Sequence, residues 1–473
     1  MNPADYLAQD AVGLAGLIAR REVSAPEVLE AAIARAEAVN PKLNAIVLRL
    51  DETARAAVTS GAPAGPLGGV PFLIKDLGAR VAGTPTSGGS RAFARRVEPA
   101  DSALVSAYRA AGLVIFGKTN TPELGLEPVT EPALFGPSRN PWDLDRTPGG
   151  SSGGAAAAVA GGIVPAAHAS DGGGSIRMPA SCCGLFGLKP SRGRVSFAPA
   201  GEGWGGFSIH HAVTRSVRDS AALLDAVCQP RPGDPYRLEP PATSFASEVG
   251  REPGRLRIAF STAALASDAI DPECAEAVRA AARLCASLGH LVEEADLPGD
   301  LPTLGAASGE IIAAHVAAAL DAEAARRGAS IEAGELEDVT WALYQRGGAI
   351  LGPAYVQATQ AVRAFSRVVA AFFQRFDVLL MSTMGSPPIR IGALRGRPPD
   401  LAGYAKRLFA FMPNTQVFNA TGQPAMSVPL SWSAEGLPIG LQFAARMGEE
   451  ALLLRLAAQL EAARPWAGRR PAL

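Results

Sequence analysis

One stretch, residues 149–179, constrains this chain more than any other because it is crowded with Gly, Ala and Ser. It reads GGSSGGAAAAVAGGIVPAAHASDGGGSIRMP. Glycine permits sharp turns, positive φ and close approach of the backbone to a ligand. The clusters 149–154 and 171–177 therefore predict two exposed-backbone turns, each presenting a serine hydroxyl. The small residues 155–160 between them predict a helix packed tightly in a core. The serines of the two turns are the first candidates for chemistry.

A lysine follows an apolar strand in the segment 68–76, which reads GGVPFLIKD. Lys75 at the end of a buried strand is costly unless it is paired or uncharged. The alternative interpretation is an ordinary surface lysine at a strand end. A second apolar strand, 113–117, precedes Lys118 and a polar loop. Strands that alternate with helical segments at this spacing indicate an α/β sheet.

Charge and composition exclude several classes of function. The formal net charge of −1 gives no electrostatic footprint for nucleic acid or an anionic membrane. The sequence contains no apolar run of about 18 residues, so no membrane-spanning helix is predicted. The N-terminus lacks the pattern of a signal peptide, and a cytoplasmic location is therefore expected. Five cysteines without a CxxC motif predict reduced thiols, and five histidines without HExxH give no basis for a metal or another cofactor.

The domain organisation follows from where the β/α patterning continues. A length of 473 residues would allow two or three domains. The proline-rich stretch 230–253 is an excursion or linker, but β/α patterning resumes on both sides of it. The sequence therefore predicts one large domain, 1–473.

Three kinds of chemistry compete for the serines. The first cluster matches GxSxG centred on Ser151 or Ser152, which suggests a nucleophile elbow, but no downstream histidine has a distinctive setting. A phosphate loop is disfavoured because neither GxxxxGK[ST] nor GxGxxG is present. In the third interpretation, a buried, uncharged Lys75 takes a proton from one serine through another, with Ser151 and Ser175 as candidates. The glycines 172–174 would offer N–H groups to an oxyanion.

Several motifs resemble the amidase signature family over nearly the whole chain. They are GGSSGG at 149–154, DGGGSIRMP at 171–179, GLKPSRGR at 187–194, VPFLIKD at 70–76 and GKTNTPE at 117–123. The 24-residue separation of Ser151 and Ser175 is that of the family. Within the family the chain is most similar to the 6-aminohexanoate-cyclic-dimer hydrolases, through NPW at 140–142, PAAH at 165–168, RPGD at 231–234 and DPEC at 271–274.

The resemblance implies a fold and a catalytic triad. The fold is a single large α/β domain, with a mixed, twisted central sheet covered by helices on both faces and a core signature region at about 68–200. Lys75 is implied as the base, Ser151 as a bridging serine joined to Gly150 by a cis peptide bond, and Ser175 as the nucleophile. The implied oxyanion hole consists of the N–H groups of Gly172, Gly173, Gly174 and Ser175. The implied supporting residues are Ser152, Asp171 and Arg177.

The resemblance also implies a substrate class and leaves alternatives open. It implies hydrolysis of non-peptide amides by acyl transfer: nylon-oligomer, aryl acylamide or carbamate substrates. The pocket-shaping regions are expected at about 200–212, 230–253 and 303–400. The expected pocket residues are Phe135, Trp204, Phe207 and Tyr355. A homodimer is left open. The second hypothesis is the amidase subunit of a tRNA-dependent amidotransferase complex, and the third is an inactive binding module.

Overall fold

Eleven strands in the described part of the chain form one mixed sheet. The structure is a computed structural model that describes residues 1–59, 61–394 and 401–473. The strands are β1 (Ile46–Arg49), β2 (Pro71–Lys75), β3 (Val114–Thr119), β4 (Ala166–Asp171), β5 (Phe186–Lys189), β6 (Ile209–Thr214), β7 (Arg257–Phe260), β8 (Leu291–Glu294), β9 (Val378–Ser382), β10 (Ala425–Trp432) and β11 (Pro438–Ala445). Their order is β1-β3-β2-β4-β6-β5-β10-β11-β9-β7-β8.

Helices flank this sheet, so the predicted α/β class with a mixed central sheet is confirmed. The helices of the described residues are α1 (Pro3–Ala8), α2 (Ala11–Ala19), α3 (Ala25–Leu43), α4 (Asp51–Val58), α5 (Ala103–Ala110), α6 (Gly153–Ala160), α7 (Arg177–Cys183), α8 (Val217–Val227), α9 (Phe245–Glu248), α10 (Pro272–Ser287), α11 (Leu301–Arg327), α12 (Asp338–Gly348), α13 (Gly352–Arg375), α14 (Leu401–Phe411), α15 (Val417–Thr421) and α16 (Glu450–Ala463).

At strand β9 the sheet separates two hydrophobic cores. Successive side chains of a strand point to opposite faces, and β9 shows the consequence. Val378 and Leu380 lie in the larger core, whereas Leu379 and Met381 lie in the second core with residues of α13 and α15. Because both faces of the strand are buried, its sequence is continuously apolar rather than alternating.

The N-terminal helices show how local chemistry sets element ends. Ser24 and Glu27 form a capping box at the start of α3. A proline usually ends a helix before it, but α3 continues to Leu43 with Pro41 in its last turn. The Asn40 side chain accepts the N–H groups that follow, at Ala45 and Ile46. These bonds replace helical ones and end the helix after the proline rather than before it.

The stretch 149–179 is buried rather than exposed, which corrects the prediction of two open turns. It contains α6, β4 and α7, connected by tight glycine turns. The helix over 155–160 was predicted, whereas β4 and α7 were not. Small residues are needed for packing here: a Cβ on Gly154 would lie 2.4 Å from the backbone nitrogen of Asn120. This close approach holds α6 against the end of β3.

The expected pocket-shaping regions contain regular structure of their own. Region 200–212 runs into β6, 230–253 contains α9, and 303–400 contains α12, α13, β9 and most of α11. Positions 395–400 of the last region lie outside the described residues. Among the described helices, α11 alone has the length and composition to cross a membrane, and 44% of its most apolar window is buried inside the protein. That is weak evidence for a span, since core helices pass the same test.

Candidate active site

The candidate site lies where three parallel strands end. Strand β2 runs parallel to β3 on one side and to β4 on the other, so their carboxyl ends meet at one edge of the sheet. Lys75 is the last residue of β2 and Asp171 is the last residue of β4. Ligands in α/β sheets commonly bind outside the carboxyl ends of the strands.

Lys75 is fully buried, so the interpretation as a surface lysine was wrong. Its Nζ lies 2.7 Å from the Oγ of Ser151 and 3.0 Å from the Oγ of Ser170. No carboxylate of the described residues forms an ion pair with it, in contrast to the buried Lys118, whose Nζ lies 3.3 Å from the carboxylate of Asp76. Burial lowers the pKa of Lys75 to about 7, and the more distant Asp171 carboxylate opposes this shift only in part. Near neutral pH the amine can therefore accept a proton.

Ser151 is held in place by a tightly packed backbone. The Gly150–Ser151 peptide bond is cis, as the resemblance implies. A Cβ on Gly150 would lie 2.7 Å from backbone atoms of Glu127 and Val129, and one on Gly125 would lie 3.1 Å from the Ser151 Oγ. Glycine at both positions therefore lets the main chain close around this hydroxyl. The neighbouring Ser152 is also buried, and its Oγ donates to the Ser170 carbonyl at 3.2 Å.

Ser175 sits on the turn between β4 and α7, and its side chain opens into a cavity. The residue is 6% exposed, and no hydrogen-bond partner of its Oγ is recorded among the described residues. The turn is shaped by the Asp171 carboxylate, which accepts the N–H of Gly174 at 2.7 Å and the N–H of Ile176 at 3.1 Å. Because the Gly174 N–H is already donated to Asp171, that amide is less suited to the oxyanion role than the three other predicted amides of the turn.

Arg177 anchors this turn to the other half of the sheet. Its guanidinium makes a bidentate ion pair with Asp171, with both N–O distances at 2.9 Å. It also donates to the side chains of Asn419 at 2.6 Å and Gln442 at 2.7 Å, and to the Thr415 carbonyl at 2.9 Å. Burial alone would raise the pKa of Asp171, but the charge and hydrogen bonds of Arg177 outweigh it and lower the pKa to about 2. The Asp171 carboxylate is therefore ionised across the physiological range.

A cavity of about 290 Å³ brings the serines together. Its wall includes Ser151, Ser170 and Ser175. Trp204 also lines it and fills the space beside Gly172, where a Cβ would lie 2.8 Å from the indole ring. Trp204 therefore packs against Gly172, where a larger residue would meet the indole ring.

Three of the expected pocket residues lie away from the cavity wall. Phe207 is turned into the second core, with α11 and α13. The Tyr355 hydroxyl lies 3.0 Å from the His315 Nε2 and is packed against the same core. Phe135 lies in a loop, and its backbone carbonyl oxygen accepts a hydrogen bond from the Asn44 side chain at 2.8 Å. In the described residues, no group of three His, Cys, Asp or Glu side chains is arranged to hold a metal ion.

Sequence and structure comparisons agree on one family. The amidase family profile matches residues 27–454. The chain is 39% identical to 6-aminohexanoate-cyclic-dimer hydrolase of Pseudomonas sp. (strain NK87), over 98% of this chain and 97% of that protein.

The chain belongs to the amidase signature family.

Two solved structures place this amidase within the family. A 6-aminohexanoate cyclic dimer hydrolase complexed with substrate superimposes with a TM-score of 0.94 at 38% identity, over 98% of this chain and 99% of that one. A glutamyl-tRNA(Gln) amidotransferase chain from Thermotoga maritima is more distant, with a TM-score of 0.74 at 26% identity, over 98% of this chain and 95% of that one.

Sequence reasoning missed four side chains that contact the centre of this amidase. Ser170 contacts Lys75, and its place beside Asp171 in the serine-rich stretch was the available signal. His210 reaches the cavity wall from β6. Asn419 and Gln442 bind Arg177 from positions more than 240 residues further along the chain. Nothing local in the sequence marks these last three.

Proposed function

We propose that this amidase hydrolyses small non-peptide amides through an acyl-enzyme on Ser175. The observation that carries the proposal is the buried Lys75 amine, which lies 2.7 Å from the Ser151 Oγ. Ser151 and Ser175 line one cavity, and the Ser175 Oγ has no hydrogen-bond partner among the described residues. An uncharged lysine is a competent general base, and a serine between base and nucleophile can relay the proton. The GxSxG alternative requires a histidine bonded to Ser151 or Ser152, and in the described residues the hydrogen bonds of those two hydroxyls go to Lys75 and Ser170 instead.

The reaction proceeds in two halves. The Ser175 oxygen attacks the amide carbonyl, its proton passes to Ser151, and the Ser151 proton passes to Lys75. The tetrahedral intermediate collapses as the C–N bond breaks, and the leaving nitrogen takes a proton back along the same path. Water then attacks the acyl ester with the same base, which releases the acid and restores the Ser175 hydroxyl. The two halves together consume one water molecule and return Lys75, Ser151 and Ser175 to their starting protonation states, so the reaction requires no cofactor.

The oxyanion of both intermediates is held by backbone N–H groups of the Ser175 turn. The candidates are Gly172, Gly173 and Ser175, because the Gly174 N–H is donated to Asp171. Donors fixed before the reaction stabilise developing charge strongly in a site that excludes water. Asp171 and Arg177 act on this step indirectly, by fixing the turn, and Ser152 acts through its contact with Ser170.

The substrate class rests on the relatives and on the cavity. Two comparisons at 38–39% identity are with 6-aminohexanoate-cyclic-dimer hydrolases, so a nylon-type cyclic or linear oligomer of an aminoalkanoic acid is the first expectation. Aryl acylamides and carbamates belong to the same acyl-transfer chemistry and are included. The cavity is of the size that small-molecule sites have.

The rate should depend on pH through the proton on Lys75. Since burial lowers its pKa to about 7, the amine is protonated below that pH and cannot act as a base. We therefore expect kcat/KM for a neutral anilide to fall about tenfold per pH unit below about 6 and to level off above about 8. The measurement is a kcat/KM profile from pH 5 to 9. A profile that stays flat down to pH 5 would contradict an essential lysine base.

A direct test separates this proposal from the amidotransferase alternative. The purified chain, without other proteins, is incubated with 6-aminohexanoate cyclic dimer and with a simple anilide. Mass spectrometry then follows product and any acyl adduct on Ser175. The proposal expects hydrolysis of at least one substrate and an adduct on that residue. Activity that appears only with added partner proteins would instead favour a component of an amidotransferase complex, to which the structural similarity is weaker.

A further inference from the structure

A chain of two histidines links the backbone of Lys75 to the cavity. The Lys75 N–H lies 3.2 Å from the Nδ1 of His168. The Nε2 of His168 lies 3.1 Å from the Nδ1 of His210. His210 lines the cavity that holds Ser151 and Ser175, and it pairs with Ser170 across β4 and β6. The proposed acyl-transfer steps use neither histidine.

The hydrogen bonds of His168 and His210 fix the tautomer of each ring. A backbone N–H is always a donor, so the Nδ1 of His168 must accept and its proton sits on Nε2. That Nε2–H donates to the Nδ1 of His210, which must accept in turn. The proton of His210 is therefore on Nε2. Both rings are fully buried, and burial is the main cause that lowers the pKa of each, so both are neutral.

The Nε2 edge of His210 is left open. A Cβ added to Gly78, which also lines the cavity, would lie 3.0 Å from the Cε1 and 3.5 Å from the Nε2 of His210. A side chain at position 78 would therefore cover this edge, which with glycine borders the cavity. No acceptor for the Nε2 is recorded in the described part of the chain, and Phe197 stacks on the ring at 4.4 Å between centroids and holds its plane. Within the described residues, this buried and oriented donor therefore has no acceptor and faces the cavity.

We propose that His210 is a specificity-determining residue whose fixed Nε2–H donates a hydrogen bond to the oxygen of a second substrate carbonyl, distinct from the carbonyl whose carbon is attacked by Ser175. The inference rests on the proposed function, and it narrows the substrate class to compounds with a second acceptor, such as diamides. A site built to bind a polar group discriminates against analogues that lack it, because its own donor is then left unpaired.

Two variants of His210 separate this role from a structural one. In His210→Asn, the amide oxygen takes the place of Nδ1 and still accepts from His168, but nothing reaches the Nε2 position. In His210→Gln, the amide nitrogen reaches the Nε2 position, but the acceptor for His168 is lost. The substrates are a diamide and a monoamide of equal length in which methylenes replace the second amide.

For His210→Asn we expect KM for the diamide to rise about tenfold, with kcat and the monoamide KM changed less than threefold. His210→Gln should keep the diamide KM within about threefold. His211→Asn is the control, since His211 is equally buried on the same strand but points to the opposite face, toward Ser220 at 2.8 Å. An unchanged diamide KM in His210→Asn, or an equal rise for both substrates, would overturn the proposal.

A spectroscopic measurement tests His210 even if the chain does not hydrolyse either substrate. Ser175→Ala protein with ¹⁵N-labelled histidine should show His168 and His210 as neutral Nε2–H tautomers. Addition of the diamide should shift the His210 Nε2–H signal, and addition of the monoamide should not. An Nδ1–H tautomer at His210, or no shift with saturating diamide, would overturn the inference. Failure to hydrolyse any amide would overturn only the proposed function.

Discussion

Ser175→Ala is expected to lower kcat for amide hydrolysis by about 10³–10⁶-fold and to leave the fold intact. The variant removes the oxygen on which the proposed acyl-enzyme forms, so hydrolysis would then need direct attack by water in the cavity. The Ser175 Oγ has no recorded hydrogen bond among the described residues, so its loss leaves no buried donor or acceptor unpaired. Steady-state kinetics measure the loss of kcat, and a thermal melt tests whether the fold is retained.

Lys75→Met is the matched variant for the base. It keeps most of the aliphatic stem but removes the amine that lies 2.7 Å from the Ser151 Oγ, so kcat should fall by a similar factor. A serine-directed phosphonate should label Ser175 in the wild type, label it far more slowly in Lys75→Met, and not label Ser175→Ala. Near-normal turnover by either variant would show that the triad assignment is wrong.

The two variants should differ in how their stability depends on pH. Burial lowers the folded-state pKa of Lys75 from 10.5 to about 7. Between these values the unfolded chain binds the proton and the folded chain does not, so wild-type stability gains from this group as the pH rises from 7 to 10. Ser175→Ala keeps that gain and Lys75→Met loses it. Urea unfolding at pH 7 and pH 9.5 compares them.

Local patterns indicated the lysine and serines that lie at this cavity better than the elements that surround them. A lysine at the end of an apolar strand and serines among glycines are visible in short segments, and both lie at the cavity. Strand β4 was missed because its sequence, AAHASD, is rich in small and polar residues, which do not favour a strand when read alone. It forms because β2 and β6 pair with it on either side. Tertiary context thus decided an element that local propensity did not.

The residues that shape the cavity were harder to predict for a related reason. Phe207 and Tyr355 are aromatic residues in regions expected to form the pocket, but they pack into the second core. The sequence around an aromatic residue in a loop or on an amphipathic helix does not show which side chains it will contact, because this depends on how the helices pack in the folded protein. His210 shows the converse, because a histidine on an apolar strand looks like a core residue until its partner His168 is known.

Arg177→Met is expected to lower the free energy of unfolding by about 3–5 kcal/mol and to lower activity as well. The guanidinium is fully buried and contacts Asp171, Asn419 and Gln442. Its removal would leave the Asp171 carboxylate charged and unpaired inside the protein. Urea denaturation at pH 7 measures the loss, and Arg20→Met, at an exposed ion pair with Glu22, is the control expected to change little.

A second substitution tests whether the uncompensated charge is the cause. In the Arg177→Met background, Asp171→Asn removes the buried charge, so it should recover part of the lost stability, whereas Asp171→Asn alone should destabilise the wild type. The Asn side chain keeps one oxygen for the N–H groups at Gly174 and Ile176. Activity should not recover with stability, because the guanidinium also connects the Ser175 turn to β11 and α15. Additive losses in the double variant would show that the ion pair is not what stabilises this turn.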